Sequence, residues 1–289
     1  MINFYKYRWF CWLISITIII IGLYSIYKHS FRFSIEFTGG TNIELLAKNR
    51  ITQKENDILK AISNNYKVNY FKIINRKIIL TTPSLKQNEE KKIVDLLEKK
   101  LSQKLEIIKL EKVGPIIGKE MVKKTIVASV LAIFGILIYM FFSFKGFNYG
   151  LAAILAMIHD LLIVFGSYSL LSHFFGAQFD TMFVTAALTT LSFSVHDTIV
   201  IFDKVRDYLM EYQNRSIESL ANLALTETMI RSLNNSMTII FMLLALVVLG
   251  GSTIRFFVLA LLIGTVAGTY SSPFVATPIL VWLEKNKKK

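Results

Sequence analysis

Long unbroken apolar runs dominate the chain, and one polar stretch interrupts them. The first run extends from Trp9 to Tyr27. Five more follow the polar stretch: Thr125–Phe142, Tyr149–Leu171, Met182–Phe202, Ser236–Leu249 and Phe256–Trp282. A helix needs about 20 apolar residues to cross a bilayer core. Only helices and closed barrels satisfy the backbone in lipid, and barrel strands alternate in hydrophobicity, which these runs do not. The pattern predicts an α-helical integral membrane protein with six transmembrane helices. Lys6 and Arg8 precede the first run, which is longer than a signal-peptide core and reads as an uncleaved helix.

Residues 29–120 contain no spanning run and are rich in Lys, Asn and Glu. Asn42–Ala47 reads as a strand, and Thr52–Asn64 as a helix with Thr52 and Glu55 at capping-box spacing. Val68–Ile74 and Lys77–Thr82 read as strands joined by a tight turn at Asn75-Arg76. Ser84–Leu101 is a charged amphipathic helix, and Leu105–Leu110 a last strand. The order β-α-β-β-α-β predicts a small α+β, ferredoxin-like domain between helices 1 and 2. The chain thus divides into residues 1–28 (N-terminus and first helix), 29–120 (outer domain) and 121–289 (helices 2–6), with a charged loop expected at 203–235.

Charge distribution orients this arrangement. Six spans put both termini on one side, together with Lys6, Arg8, Lys145, Lys204, Arg206, Arg215, Lys285 and Lys287 to Lys289. The short opposite loops carry only Arg255. The positive-inside rule makes that first side cytoplasmic and the folded domain periplasmic, and long translocated domains escape the rule. The net charge of +13 fits anionic membrane lipid better than nucleic acid, because the basic residues sit at helix ends and in the outer domain. Cys11 is the single cysteine and forms no internal disulfide. No phosphate-cradling loop, Cys/His cluster of metal spacing or G-x-S-x-G element occurs. The expectation is a non-enzymatic protein with no cofactor and no metal, driven by an ion gradient.

Ionisable groups inside spans are costly and mark function by default. Asp197 lies in the fourth run, with Thr190 and Ser194 on the same helix face. Arg231 leads the fifth helix, with Asn234, Asn235 and Thr238 on one face. The two stripes predict a hydrated path in which Arg231 holds Asp197 ionised, although Glu227, one turn earlier, competes for Arg231. His196 and the pair His159-Asp160 could titrate or could serve packing. Gly264, Gly268 and Ser272 form a small-xxx-small stripe suited to close helix packing.

Four motifs then carry a resemblance. Glu36 is followed by Phe37, Thr38, Gly39, Gly40 and Thr41; Val113 by Gly114 and Pro115; Ser194-Val-His196-Asp197-Thr-Ile-Val-Ile-Phe-Asp203 by Lys-Val-Arg206; and Thr226 leads to Arg231 and Ser232. These segments, in this order, resemble the signatures of the SecD/SecF family of protein-export membrane proteins, in the resistance-nodulation-division superfamily. Glu36 replaces the usual Asp, and His196 stands where the family has Asn. The length of the polar stretch fits the SecF branch, since SecD carries a much larger outer region. The resemblance implies a partner SecD, association with the SecYEG translocon and translocating preproteins, an inner-membrane location, and use of the proton-motive force through Asp197 and Arg231. The alternatives are a scaffold that only stabilises SecD and the channel, and a small-molecule exporter of the same superfamily.

Overall fold

A computed structural model describes residues 4–51, 55–86, 88–144, 146–212, 214–251 and 253–287. Thr52 of the expected capping box, Lys145, Lys288 and Lys289 lie outside these residues. The chain forms two compact units. One is Phe33–Ile126; the other combines the N-terminal segment with residues 127 onward.

In the first unit a short helix α2 (Ile35–Thr38) leads into β1 (Gly40–Ala47), α3 (Glu55–Ser63), β2 (Tyr70–Ile74), β3 (Lys77–Thr82), α4 (Glu89–Leu101) and β4 (Leu105–Val113). The strands form one antiparallel sheet in the order β2-β3-β1-β4. Two βαβ crossovers around a central hairpin require this interleaved order, so the expected ferredoxin-like arrangement is present. Alternation supplies the core: Ile43 and Leu45 of β1 and Ile78 and Leu80 of β3 are fully buried against Ile58 and Ile62 of α3 and Ile93 and Leu97 of α4. Asn75 takes a left-handed φ of 56° in the β2–β3 turn, a conformation Asn tolerates. The second helix starts at Glu89 rather than Ser84, after Asn88 in a left-handed conformation.

The other helices are α1 (Phe4–His29), α5 (Pro115–Ser143), α6 (Phe147–Phe175), α7 (Thr181–Glu211), α8 (Ile217–Leu249), α9 (Arg255–Ser271) and α10 (Thr277–Lys287). A π-helical turn, Ser272–Ala276, joins the last two. Among the described residues, six segments are long and apolar enough to cross a membrane, with α9 to α10 counting as one. Residues 203–235 are not a loop: α7 runs on to Glu211 and α8 begins at Ile217. Their charged residues are sound helix formers and find partners across helices, as in Lys204–Glu227 at 2.7 Å. About half of the apolar window is buried in α6, α7 and the sixth span, against 6% in α5. The former make the bundle centre, and α5 touches it mainly through Met140, which is buried, and the half-buried Ile133, Ile136 and Leu137.

Small residues set the helix contacts. A Cβ at Gly22 of α1 would lie 2.4 Å from the Gly166 Cα of α6, and one turn away Ser25 and Ser169 share a 2.9 Å hydrogen bond. Gly264 and Gly268 of α9 seat against Thr190 and Ser194 of α7; a Cβ at Gly264 would sit 2.3 Å from Thr190 Cγ2. The prolines explain the break in the sixth span. Pro278 has no N–H for the carbonyl of Phe274, and the Trp12 indole donates to that carbonyl instead, at 2.8 Å.

The Gly39-Gly40 pair roots the outer domain on α5. Gly39 and Gly40 take φ of 69° and 132°, which favours glycine. A Cβ at Gly40 would meet the Thr82 carbonyl at 2.4 Å, and one at Gly39 the Pro115 Cα at 2.8 Å. Gly118, on the first turn of α5, would put a Cβ 2.9 Å from the Gly39 nitrogen. Replacing Gly40 with Ala is expected to cost about 2 kcal/mol locally. Hydrogen exchange of the full chain in detergent should then show β1 and β4 amides opening about thirtyfold faster; unchanged exchange would show that the backbone there relaxes at no cost.

Candidate ion-coupling site

The site lies where α6, α7, α8 and α9 meet. α7 starts at Asp180, whose side chain caps the Phe183 N–H at 2.7 Å. From Thr181, the first residue of the helix, Asp197 is 16 residues, or about 24 Å, along it. Asp197 is buried. Its Oδ2 accepts a 2.6 Å hydrogen bond from Ser232 and a 3.5 Å contact from Ser236, both on α8. These two serines are four residues apart and buried, so one face of α8 meets the acid.

Arg231 is not part of that face. It is exposed, as are Asn234, Asn235 and Thr238, and among the described residues it makes no ion pair or hydrogen bond. One residue along a helix is about 100° of rotation, so seating Ser232 on Asp197 turns Arg231 away. Glu227 pairs with Lys204 and accepts from Tyr208, so it does not hold Arg231 either. His196 is exposed on the outer face of α7 with Thr185, Thr189 and Ser192. The expected Asp197–Arg231 pair is therefore absent from this chain, and the polar residues divide into an inner serine face and two outer stripes.

The stripe of α7 that includes Asp197 serves two acids. Ser194 donates to Asp160 Oδ2 of α6. Ser271 of α9 donates to the same oxygen at 2.8 Å, and His159 Nδ1 lies 2.9 Å from Oδ1. Asp160 is 3% exposed, which such a set of donors makes tolerable. His159 Nε2 is buried with no hydrogen-bond partner among the described residues. Thr190 bonds its own helix at Ala187, 2.9 Å away, and stands apart from both acids. Thr198 links the clusters: it donates to the Ser194 carbonyl at 3.1 Å and shares a 2.8 Å bond with Ser272 in the π turn. From sequence the pair His159-Asp160 is open between titration and packing, and nothing there joins Asp160 to the Ser194 face. Its signal was a carboxylate deep in an apolar run; Ser232, Ser236 and Ser271 gave none beyond their spacing.

Sequence profiles place this geometry in a family. Residues 93–286 match the protein export membrane protein SecD/SecF C-terminal domain, and residues 27–49 match the SecD/SecF GG motif. The chain belongs to the SecD/SecF family. Among its relatives, the protein translocase subunit SecF of Thermobaculum terrenum is 40% identical over 99% of this chain and 95% of that protein. That of Anaerolinea thermophila is 32% identical over 99% and 96%. The crystal structure of SecDF, a translocon-associated membrane protein from Thermus thermophilus, superposes with a TM-score of 0.85 at 28% identity. The alignment covers 98% of this chain and 39% of that one. A SecDF structure in its super-membrane-facing form gives 0.70 over 99% of this chain and 39% of that one. Within the SecD/SecF family the chain therefore stands with the SecF translocase subunits, with six membrane helices and the small antiparallel domain.

In this SecD/SecF chain the GG residues are geometric rather than chemical: Gly39, Gly40 and Gly118 permit close backbone approach, and Pro115 occupies the first position of α5. Gly114 has no neighbour within 4 Å of a notional Cβ, so space does not require glycine there. The division of α8 into two faces has a thermodynamic consequence. Ser232→Ala removes a donor from a buried carboxylate and should lower stability by about 1–2 kcal/mol. Asn234→Ala, on the exposed face, should stay within about 0.5 kcal/mol. Reversible unfolding of the purified chain in mixed micelles checks the contrast; equal losses would remove the two-face assignment.

Proposed function

We propose that this chain is the SecF-type half of an export accessory unit in the inner membrane, coupling the proton-motive force to late steps of preprotein translocation. In this reading both termini are cytoplasmic, a SecD-type subunit is the direct partner, and the pair acts with the SecYEG channel. The observation that carries it is Asp197, a carboxylate within a span whose hydrogen-bond donors all come from another helix. Ionised, it accepts from Ser232 and Ser236. Protonated, the carboxyl gains an O–H that needs an acceptor of its own and loses the charge that strengthens the bonds from Ser232 and Ser236. Proton arrival thereby changes the α7–α8 contact, and a two-state packing of these helices converts that local event into motion. Asp160, which accepts from Ser194 three residues before Asp197 on α7, is a second candidate station, with the His159 imidazole beside it.

Two exposed polar stripes support the partner assignment. Arg231, Asn234, Asn235 and Thr238 on α8, and Thr189, Ser192 and His196 on α7, are expensive against lipid. A second membrane subunit laid on them lifts that cost, and Arg231 then finds its partner in the SecD-type chain rather than in Asp197. Moving one charge through 100 mV supplies about 2.3 kcal/mol, about fortyfold in a two-state equilibrium.

The scaffold alternative makes a different forecast for one substitution. In a strain dependent on this chain, Asp197→Asn is expected to leave the protein at normal abundance and paired with SecD while preprotein export falls by most of its gradient-dependent part. Asparagine keeps the size of the side chain and can still meet the serines. Normal export at normal abundance would leave a scaffold as the function.

A further inference from the structure

The three tryptophans of the chain, Trp9, Trp12 and Trp282, line a single groove. The groove encloses about 420 Å³ between α1, α6 and α10, and is completed by Arg8, Leu155, Pro278 and Ile279. It opens at the end of the helices where both termini lie. Arg8 and Trp282 sit near helix ends, whereas Leu155 is eight residues into α6, about 12 Å deeper. The groove therefore has a cationic, aromatic rim and an apolar floor. Its size is that of a small-molecule site.

Arg8 and Trp12 of the rim each make a defined contact. The Arg8 guanidinium stacks 5.4 Å from the centroid of Trp9. Trp12 is pinned by its bond to the Phe274 carbonyl, the one that Pro278 leaves without a helical donor. The carboxylate of Glu284, near the same helix end, is engaged by Asn148 at 2.7 Å, and Lys285 pairs with Glu218. Tryptophan favours the headgroup level of a bilayer, and a planar guanidinium matches phosphate oxygens.

We propose that this groove binds one anionic phospholipid, with its phosphate at Arg8 and an acyl chain over Leu155, Pro278 and Ile279. Charge complementarity selects this occupant: the rim carries a guanidinium, and the surrounding helix ends are basic. The site has a route to the polar cluster. Trp12 contacts the π turn at Phe274, and Ser272 of that turn bonds Thr198 beside Asp197. The proposal stands independently of proton coupling.

Because every tryptophan lies at the groove, intrinsic fluorescence reports its occupant. The full chain is reconstituted into phosphatidylcholine vesicles in which a minor fraction of lipid is brominated phosphatidylglycerol, or the same fraction of brominated phosphatidylcholine. The expected result is preferential quenching by the brominated anionic lipid, corresponding to about fivefold tighter binding. Arg8→Gln should abolish the preference and Arg8→Lys should keep part of it. Quenching at complete replacement by brominated phosphatidylcholine should match the native chain in both variants, showing that each is inserted and folded. Equal quenching of the native chain by the two lipids would overturn the proposal. So would absence of quenching by either, which would mean a protein segment or a second copy fills the groove, and so would a preference that survives Arg8→Gln.

Discussion

A carboxylate inside a bilayer must find its hydrogen-bond donors among neighbouring helices, because lipid offers none and the helical backbone has spent its own. Asp160 and Asp197 impose that requirement on four helices at once. Asp160 draws Ser194 of α7 and Ser271 of α9 onto α6, and Asp197 draws Ser232 and Ser236 of α8 onto α7. Hydroxyl groups on small side chains meet this need without separating the helices. The glycines complete it: Gly264 and Gly268 let α9 come close enough for Ser271 to reach Asp160. Van der Waals packing and interhelical hydrogen bonds are the forces available where the hydrophobic effect between helices is absent, and here the two coincide on the same turns.

The same constraint explains which parts of the arrangement were legible in the residues. Span number and the β-α-β-β-α-β order follow from hydrophobic period alone, since length and alternation are properties of the chain itself. The site is different. Spacing correctly groups Thr190, Ser194 and Asp197, and separately Arg231, Asn234, Asn235 and Thr238. It does not say which face of α8 turns inward. The strongest charges suggested Arg231, whereas the acid selected Ser232, the next residue, because two small hydroxyls seat closer than one long guanidinium. Asp160 was visible as a buried acid, but its partners come from residues 34 and 111 positions away, beyond the reach of any local pattern. The helical extent of 203–235 was hidden by charge, which disfavours the membrane core without disfavouring a helix.

The small α+β domain obeys a separate logic. Its core is that of a water-exposed α+β fold, and its GG residues act through what they lack. Two positive φ values and three backbone approaches under 3 Å for a notional Cβ join β1, β3 and the first turn of α5. The compact unit consequently extends to Ile126, so that the first three turns of α5 belong with the sheet.

The π turn between α9 and α10 brings these arguments together. Pro278 deprives the Phe274 carbonyl of its helical donor, and an indole from the first span replaces it. The irregular backbone also presents Ser272 to Thr198, next to both acids. π-helical turns recur at functional sites. A regular helix in its place would rotate Ser272 relative to α7 and alter what Thr198 can donate to. A change of protonation at Asp160 or Asp197 and a change of occupant beside Trp12 would then act on the same few residues. Both reach that turn through one hydrogen bond each, Trp12 to the Phe274 carbonyl and Thr198 with Ser272.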